Sequence, residues 1–400
     1  MKINSSIVAA ALGLAFVSQV SAQTQYVYLT GSTAARDAVY NTLMAGAGFD
    51  NANVSFVGYG SSTAGNCSYM EFSNTVSGTP TIVKADWSGS EAGITDVSGS
   101  TLEYFLLDAG SGSVSPFAGT GTANAVATAT APSAPNAAYY LQSAVDVAQA
   151  DNALLYSKTP GSTASQLFDN LAIPFVVVKN NTTVNGQAGL VNITADNFKN
   201  LAQGGDKLAL FTGVEQPVGT TNYVYLAGRD NNSGTRVNTL GITGWGIAHA
   251  AKQITLSGAT PNAITAYSVS AGQKSGGTLA NSLTDSTTSA DTAHPKNSSG
   301  GFIAVAYLGL ADDATAEAAP INAVRLTYDG VAYTPAAVES GSYTMWGKEY
   351  TMLKAGEGTL ATGFANALVA NIGANTTGYE IPYSLMNVDR SGPTIYPTHN

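Results

Sequence analysis

Three short loops combine glycine with hydroxyl side chains, and each is predicted to join a strand to the start of a helix. They are residues 30–33 (TGST), 60–62 (GSS) and 233–235 (SGT). Free backbone N–H groups and the positive end of the dipole at a helix N-terminus favour an anion. Ser and Thr hydroxyls can donate to anion oxygens, and glycine lets the backbone come close. Taken singly, each loop also fits the ordinary cap and turn chemistry of a helix start.

Arg229 lies shortly before the third loop and distinguishes it from an ordinary helix start. A guanidinium is permanently charged and can make a bidentate contact to an oxyanion. The three loops and this arginine together indicate an oxyanion site. The alternative for Arg229 is a surface salt bridge to Asp230 or Asp206.

The residues that most enzymes need form no recognisable pattern. The histidines His249, His294 and His399 have no spacing that pairs them as metal ligands. There is no nucleophile elbow, and no P-loop lysine follows a glycine-rich turn. We interpret the adjacent Asp312 and Asp313 as an exposed turn rather than an acid/base pair. We therefore expect a protein that is not an enzyme and that uses no metal and no cofactor.

Strand-like and helix-like segments alternate along most of the chain and position these loops. Strands are predicted at residues 26–29, 54–59, 144–150, 175–178, 223–226 and 302–308, and helices at 34–43, 194–201 and 360–372. Thr194 is a suitable N-cap, and Gly204 and Gly205 a suitable stop, for the second helix. This alternation predicts an α/β protein with mainly parallel sheets. Residues 63–136 are rich in Gly, Ser, Thr and Ala and are predicted to be an insertion of short strands and turns.

The composition restricts the class of protein. A chain of 400 residues exceeds what one compact core usually holds, so we expect two lobes or domains. Its formal net charge of −10 argues against nucleic acid or an anionic membrane surface as a partner. Only 10% of the residues are charged while 44% are hydrophobic, so a core forms under a surface of small polar residues. Such a surface suits an exported protein.

The N-terminus also predicts export. Lys2 precedes an apolar run at residues 7–17, and residues 20–22 (VSA) form a small-residue cleavage signature. The run is shorter than the about 20 residues that a membrane helix needs. Residues 1–22 are therefore predicted to be a signal peptide, and the mature chain to be periplasmic or secreted without a membrane span. The one cysteine, Cys67, is predicted to be a buried side chain.

Several segments resemble one family in the same order along the chain. Residues 229–235 (RDNNSGT) resemble the Arg-x3-Ser-Gly-Thr loop of the phosphate-specific solute-binding proteins that serve ABC importers, the PstS-like group of the type II periplasmic-binding-protein superfamily. Residues 56–62 (FVGYGSS) are similar to the family's aromatic-x-Gly-x-Gly-Ser-Ser loop, and residues 145–151 (VDVAQAD) to its Val-Asp-x-Gly-x-Ser-Asp strand. Residues 29–34 (LTGSTA) resemble its first loop, but are shorter and lack the usual Phe and Pro. The resemblance covers residues 25–385 apart from 63–136.

The resemblance implies an α/β, two-lobed type II periplasmic binding protein fold with a hinge and an interlobe cleft that holds the anion. Residues 1–22 would be the signal peptide, 23–172 the first part of lobe one with an insertion at about 63–136, 173–300 lobe two, and 301–400 the return to lobe one with C-terminal helices. The phosphate ligands that the resemblance implies are Thr33, Ala34, Ser61, Asp151, Arg229, Ser233, Gly234 and Thr235.

The resemblance gives Asp151 the task of accepting the proton of HPO4²⁻. Sulfate has no proton to donate, so in a dry site it would meet an unscreened negative charge. The implied function is an exported protein that captures inorganic phosphate or a similar oxyanion, with an ABC importer permease as a candidate partner. The alternative for Asp151 is an N-cap or turn residue.

Two other functions stay open at this point. In one, the fold is kept and the ligand is another oxyanion or a phosphorylated organic molecule. In the other, the chain is a surface or adhesive structural protein on the same fold. Its ligand site would then be altered or vestigial, and the Ser/Thr/Ala-rich insertion would make the contacts.

Overall fold

The computed structural model describes residues 23–60, 63–99, 101–108, 117–120, 140–216, 221–260, 262–287 and 301–399. The predicted signal peptide, Ser61, His294 and part of the predicted insertion lie outside these residues. No helix of the described ranges is long and apolar enough to cross a membrane.

The strands follow one another along the whole described chain. Those up to residue 179 are β1 Gln25–Gly31, β2 Ser55–Tyr59, β3 Tyr69–Val76, β4 Thr79–Asp86, β5 Leu102–Leu106, β6 Phe117–Thr120, β7 Tyr140–Ala144, β8 Val147–Ala150 and β9 Ser165–Lys179. The later ones are β10 Asn192–Ile193, β11 Asp206–Lys207, β12 Tyr223–Ala227, β13 Gln253–Leu256, β14 Ile264–Ser268, β15 Ile303–Gly309, β16 Val324–Arg325, β17 Thr327–Tyr328, β18 Trp346–Leu353, β19 Ile381–Pro382, β20 Val388–Asp389 and β21 Thr398–His399.

The α-helices lie between these strands. They are α1 Arg36–Met44, α2 Ser90–Ser98, α3 Ala195–Gly204, α4 Leu208–Thr212, α5 Gly234–Ile242, α6 Gly276–Asn281, α7 Leu310–Glu317, α8 Pro335–Glu339 and α9 Thr359–Asn371. Single 3₁₀ turns lie at Ala64–Asn66, Leu154–Tyr156, Gln187–Gly189, Ile372–Ala374 and Tyr383–Leu385.

One large mixed sheet contains most of the strands, in the order β14-β13-β12-β15-β9-β18-β8-β1-β4-β3-β2-β6. It has two halves, each with a parallel centre: β1 pairs with β4 and β8 in the first half, and β12 with β13 and β15 in the second. The 15-residue strand β9 runs through both halves, pairing with β18 and then with β15. Pro174, which has no N–H to donate, is the last β9 residue paired with β18, and Phe175 pairs with β15. The predicted α/β fold is confirmed by this arrangement, but the prediction of mainly parallel sheets was wrong, because antiparallel pairs flank both parallel centres. The division into two hinged lobes stays a prediction.

Apolar side chains are buried on both faces of the sheet. In β1, Val27 and Leu29 belong to the cluster that contains buried residues of α1 and α9. Tyr28, between them, packs against a second cluster that contains Ile94 and Val97 of α2. This alternation is the period of two expected for a strand that is covered on both sides.

Local sequence patterns predicted most of these elements. Thr194 caps α3 as predicted: its hydroxyl accepts a hydrogen bond from the N–H of Asn197, whose side chain in turn accepts one from Thr194. The predicted strand at 144–150 is divided into β7, which pairs with β5, and β8, which pairs with β1. In the gap between them, the carboxylate of Asp146 accepts the N–H of Tyr28 at 2.9 Å. Cys67 is buried as predicted, and its thiol donates to the carbonyl of Thr63 at 3.7 Å.

The interpretation of Asp312 and Asp313 as an exposed turn was wrong. Both lie in the first turn of α7, where the helix dipole favours acidic residues. Asp313 is fully buried and forms an ion pair with Arg325. Asp312 lines a cavity between the two halves of the molecule.

Two segments, one within residues 63–136 and one after residue 301, have strand partners that the sequence did not predict. Strand β4 and helix α2 fall within the predicted insertion, yet β4 is the parallel neighbour of β1 at the centre of the first half. Strand β15 pairs with β12 in the second half, and β18 is the strand that re-enters the first half. The bounds of the two lobes stay a prediction.

Candidate functional site

Parallel strands bring several loops to one side of the sheet. The carboxyl ends of β4, β1 and β8 lie together in the first half and lead to residues 87–90, residues 32–35 and Asp151. In the second half, β12 leads to Arg229 and β15 to α7. Ligands of open α/β sheets bind at such carboxyl ends. Contacts between the two sets of loops define the interface that holds the candidate site.

Ser90, Asp151, Gly234 and Thr235 form a tightly packed contact that we call the junction. The hydroxyl of Ser90 donates to Oδ1 of Asp151 at 2.6 Å, and that of Thr235 donates to Oδ2 at 3.0 Å. A Cβ added to Gly234 would lie 1.6 Å from Oδ1 of Asp151. The carboxylate therefore rests directly on the first turn of α5, in the position where the sequence predicts an anion.

Further hydrogen bonds join the two halves around the junction. The side chain of Asn238 donates to the carbonyl oxygen of Asp151 at 2.5 Å. The N–H of Glu91 donates to the carbonyl of Asn232 at 3.0 Å, and Lys158 reaches the side-chain oxygen of Asn232 at 3.0 Å. The two halves are thus in a closed arrangement along this line.

Carboxyl groups near the junction carry perturbed pKa values. Burial raises the pKa of Asp151, and the hydrogen bonds from Ser90 and Thr235 oppose that rise. The pKa of Glu349 on β18 is raised well above its usual range by burial, with further contributions from the charges of Asp151 and Asp169. These groups are consequently protonated more readily than exposed carboxylates.

Arg36 and Arg229 are two cations that lie in the interface without a carboxylate in salt-bridge contact. Arg229 is only 4% exposed, and its Nη2 donates to the carbonyl of Lys274 at 3.2 Å. Arg36, the first residue of α1, donates from Nη2 to the side-chain oxygen of Asn66 at 3.1 Å. The Nε atoms of both are buried without a partner among the described residues. No salt bridge of these residues involves either arginine.

The two guanidinium groups lie at the same cavity: Arg36 and Ser275 both line it, and Arg229 donates to the carbonyl of Lys274, the residue before Ser275. Burial lowers the pKa of Arg36, and the positive charge of Arg229 lowers it further, against the opposing charges of Asp37 and Asp312. Arg229 also counteracts the burial-induced rise in the pKa of Asp151 and of Asp312. Arg229 therefore acts on both the junction and the neighbouring cavity. Its predicted alternative, a surface salt bridge, was wrong because the side chain is buried.

A cavity of about 310 Å³ lies beside Arg36 and is lined by residues of both halves. We call it the cleft cavity. Its wall includes Thr33 and Arg36 from the first half and Asp312 from the second, together with hydroxyl and amide side chains. No hydrogen bond to the carboxylate of Asp312 occurs within the described part of the chain. Arg36 lies on this wall and Arg229 lies beside it, at the carbonyl of Lys274, so the polar cavity has the cations and the open volume to hold an anion.

The predicted site residues fall into four groups, of which the first three are as follows. Asp151, Gly234 and Thr235 meet at the junction, although they come from different halves. Thr33 lies on the wall of the cleft cavity instead. Ser61 is outside the described residues.

The remaining predicted residues have local structural contacts. Ser233 caps α5, accepting the N–H of Arg236 at 3.2 Å. Ala34 packs against the main core cluster, and its N–H donates to the hydroxyl of Ser32 at 3.2 Å. Arg229 is held by two contacts: its N–H donates to the hydroxyl of Tyr307 at 3.1 Å, and its Nη2 donates to the carbonyl of Lys274.

Sequence reasoning missed Ser90, Arg36 and Asp312. Ser90 follows Ser-Gly at the end of β4, the same strand–loop–helix pattern as the three loops identified, but within the presumed insertion. Arg36 begins the helix after the first loop, so its position relative to that loop was a usable signal. Apart from its charge, nothing in the sequence around Asp312 indicated that it belongs to the site.

No family model matches this chain, and no curated protein matches it. Three solved structures are similar to it in backbone. One is described as a phosphate ABC transporter substrate-binding protein with bound phosphate, from Clostridium perfringens; it has 12% identity and a TM-score of 0.45 over 90% of this chain and 99% of the other. An ABC-type phosphate transport receptor from Vibrio cholerae has 9% identity and a TM-score of 0.44, covering 89% and 99%. PstS from Borrelia burgdorferi has 12% identity and a TM-score of 0.36, covering 86% and 92%. Along most of its length, this chain is thus similar to substrate-binding proteins of phosphate ABC transporters.

Proposed function

We propose that this chain is a solute-binding protein that captures phosphate or a similar oxyanion between its two halves. The observation that carries the proposal is the pair formed by Arg36 and Arg229, whose buried Nε atoms lack partners in the described residues. Burying a charge without a partner is costly, and two neighbouring cations add mutual repulsion. An oxyanion removes both costs, because guanidinium groups bind such oxygens through strong, charge-assisted hydrogen bonds.

Further ligand contacts belong to the same proposal. Thr33 presents a hydroxyl at the wall of the cleft cavity, next to Arg36. The first turn of α5 offers N–H groups, but the carboxylate of Asp151 lies against it. An anion that reaches this turn has to displace Asp151 from Thr235. Asp151 would then be free to accept the proton of bound HPO4²⁻.

Export and delivery are also part of the proposal. They are supported by the signal-peptide pattern of residues 1–22 and by the charge-poor composition of the chain. A binding protein of this kind would pass its ligand to an ABC importer permease and would catalyse no reaction itself.

Calorimetric titration tests the proposal directly. Residues 23–400 would be stripped of bound anion and titrated with phosphate and, separately, with sulfate. We expect phosphate to bind, and Arg36→Ala and Arg229→Ala each to weaken binding about 10- to 100-fold, since a charged hydrogen bond is worth about 1.5–3 kcal/mol. Lys199→Ala, at an exposed position on α3, is the control and should bind as the wild type does. Wild-type affinity in both arginine variants would refute the anion site.

The role of Asp151 has its own test within the same experiment. Asp151→Asn should reduce the preference for phosphate over sulfate, because an amide no longer repels an unprotonated anion. Selectivity equal to that of the wild type would remove the proton-acceptor role.

One observation favours a second candidate function. The carboxylate of Asp151 fills the position at α5 where an anion was expected, as it would in a vestigial site. A surface or adhesive structural role would then apply. Absence of heat with both anions in the wild-type protein would favour this second function.

A further inference from the structure

The cleft cavity is larger than a single inorganic oxyanion needs. Its volume of about 310 Å³ is at the lower end of the about 300–1,000 Å³ typical of pockets for small organic ligands. One water molecule needs roughly 10–15 Å³ by the same measure, so an ion of five heavy atoms would leave most of the cavity unfilled. The size therefore favours a ligand with an additional organic part.

The wall of the cleft cavity indicates the chemistry of that organic part. Its uncharged polar side chains come from both halves and include Asn66, Ser68, Ser275, Thr278 and Asn281. They supply hydroxyl and amide groups that can both donate and accept hydrogen bonds. Among the described residues of the wall there is no aromatic ring, and the apolar side chain is the methyl group of Ala311. Such a wall suits hydroxyl groups rather than a nucleotide base or an acyl chain.

Asp312 adds a hydrogen-bond acceptor to this wall. Its carboxylate lies beside the start of α6, so close that a Cβ on Gly276 would be 1.7 Å from Oδ2. No described residue donates a hydrogen bond to it. A carboxylate next to a phosphoryl group would repel it, but the hydroxyl groups of a polyol can donate to the carboxylate. Asp312 therefore favours a ligand that carries donors as well as the anion.

We propose that the ligand is a phosphomonoester of a sugar or polyol rather than inorganic phosphate. Arg36 and Arg229 would hold the phosphoryl group, and Asp312 with the hydroxyl and amide side chains of the wall would bind the ligand's hydroxyl groups. This inference rests on the proposed function, because it requires the two arginines to bind a phosphoryl group.

Competing ligands test the proposal on residues 23–400 stripped of bound anion. The probes are inorganic phosphate, glycerol 3-phosphate, glucose 6-phosphate and unphosphorylated glucose, each measured by calorimetric titration. We expect glucose 6-phosphate to bind at least 10-fold more tightly than inorganic phosphate, and glucose alone not to bind. If inorganic phosphate binds as tightly as both esters or more tightly, the inference fails while the proposed function stands. If no phosphate compound binds, both fail.

The variant Asp312→Asn gives a result that misfolding cannot mimic. Affinity for glucose 6-phosphate should fall at least 5-fold, because the amide accepts hydroxyl donors less strongly than a carboxylate does. Affinity for inorganic phosphate should stay the same or rise, because a nearby negative charge is removed. Equal losses for both ligands, or no loss for the ester, would overturn the role of Asp312.

Filling the cavity provides a matched pair of variants on one helix. Thr315 and Ala314 are both exposed on α7, but only Thr315 is part of the described wall. Thr315→Tyr should weaken glucose 6-phosphate binding at least 10-fold and change phosphate binding less than twofold. Ala314→Tyr should change neither. Ester binding that is unaffected by Thr315→Tyr would overturn the placement of the organic part.

Discussion

The junction and the cleft cavity lie between the same two halves of the molecule but are built differently. At the junction, the carboxylate of Asp151 contacts Ser90 and Thr235 directly, and Asp151 itself is 1% exposed. In the cleft cavity, Thr278 and Asn281 are exposed, and about 310 Å³ stays open. One region is closely packed and hydrogen-bonded; the other is open and polar.

Because of this difference, the two regions should contribute to different properties: the junction to folding stability and the cleft cavity to ligand binding. A buried hydrogen-bonded group costs about 1–3 kcal/mol when its partner is removed, whereas an exposed one is satisfied by water. Substitutions at the junction should therefore affect folding and closure first. Substitutions around the cleft cavity should affect ligand binding with little effect on folding.

The largest expected effect is that of Gly234→Ala at the junction. The new Cβ would collide with Oδ1 of Asp151 and crowd the side chains of Asn152 and Ser90, so that these side chains or α5 have to shift. Overpacking of this kind costs typically 1–3 kcal/mol, and we expect a loss of about 3 kcal/mol in the free energy of unfolding. Urea denaturation measures it.

Gly363→Ala is the matched control for that substitution. Gly363 lies within α9, and a Cβ there meets no atom within 4 Å. Because alanine is the better helix former, this variant should gain about 0.5–1 kcal/mol. Equal effects in the two variants would contradict the difference in packing on which the comparison depends.

The second effect is an unusual dependence of stability on pH. Burial raises the pKa of Asp169, on β9, from 3.8 to about 7. The native state then binds more protons than the unfolded state between these values, so its stability decreases as pH rises from about 4 to about 7. One such group contributes up to about 1.4 kcal/mol per pH unit. Denaturation at pH 5, 6 and 7 should show the slope, and Asp169→Asn should reduce it by about that amount.

Asp196→Asn serves as the control for the pH experiment. Its side chain is 89% exposed on α3, so the slope should stay that of the wild type. A slope that Asp169→Asn leaves unchanged would show that this buried carboxyl does not titrate in the stated range.

The smallest expected effect belongs to the cleft cavity. Asn281→Ala removes an exposed amide that, among the described residues, donates to the carbonyl of Gly277 in its own helix. The free energy of unfolding should change by less than about 0.5 kcal/mol. Thermal or urea denaturation checks this value. A loss as large as that of Gly234→Ala would mean that the cavity wall carries stability as the junction does.

Local signals predicted much of the fold, since they depend on neighbouring residues. Thr194 and Gly205 bound α3 as expected, because cap chemistry is confined to a few consecutive residues. The buried part of β9 was recognised by its run of β-branched residues. The Arg229 loop was found for the same reason: Arg229, Ser233 and Thr235 are close in the chain.

The order of the strands in the sheet could not be predicted from local signals, and it adds Ser90 to the candidate site. Residues 60–62 were predicted to be the second loop of the site, and Gly60 does line the cleft cavity, although β2, which leads into it, pairs antiparallel with β3 and β6 near the edge of the sheet. The centre is occupied by β4, whose pairing with β1 brings Ser90 to Asp151. The sequence contained Ser90 in a suitable loop, but nothing local indicated which strand would lie beside β1.

The sequence by itself determined the helix caps, the buried strands and the loop that contains Arg229, because propensity and periodicity act over a few residues. Only the tertiary structure decided that Asp151 meets Thr235, which is 84 residues away, and that Arg36 comes near Arg229 in one interface. Such contacts follow from which strands pair and how two halves close. They depend on the burial of the whole sheet, which no local pattern encodes.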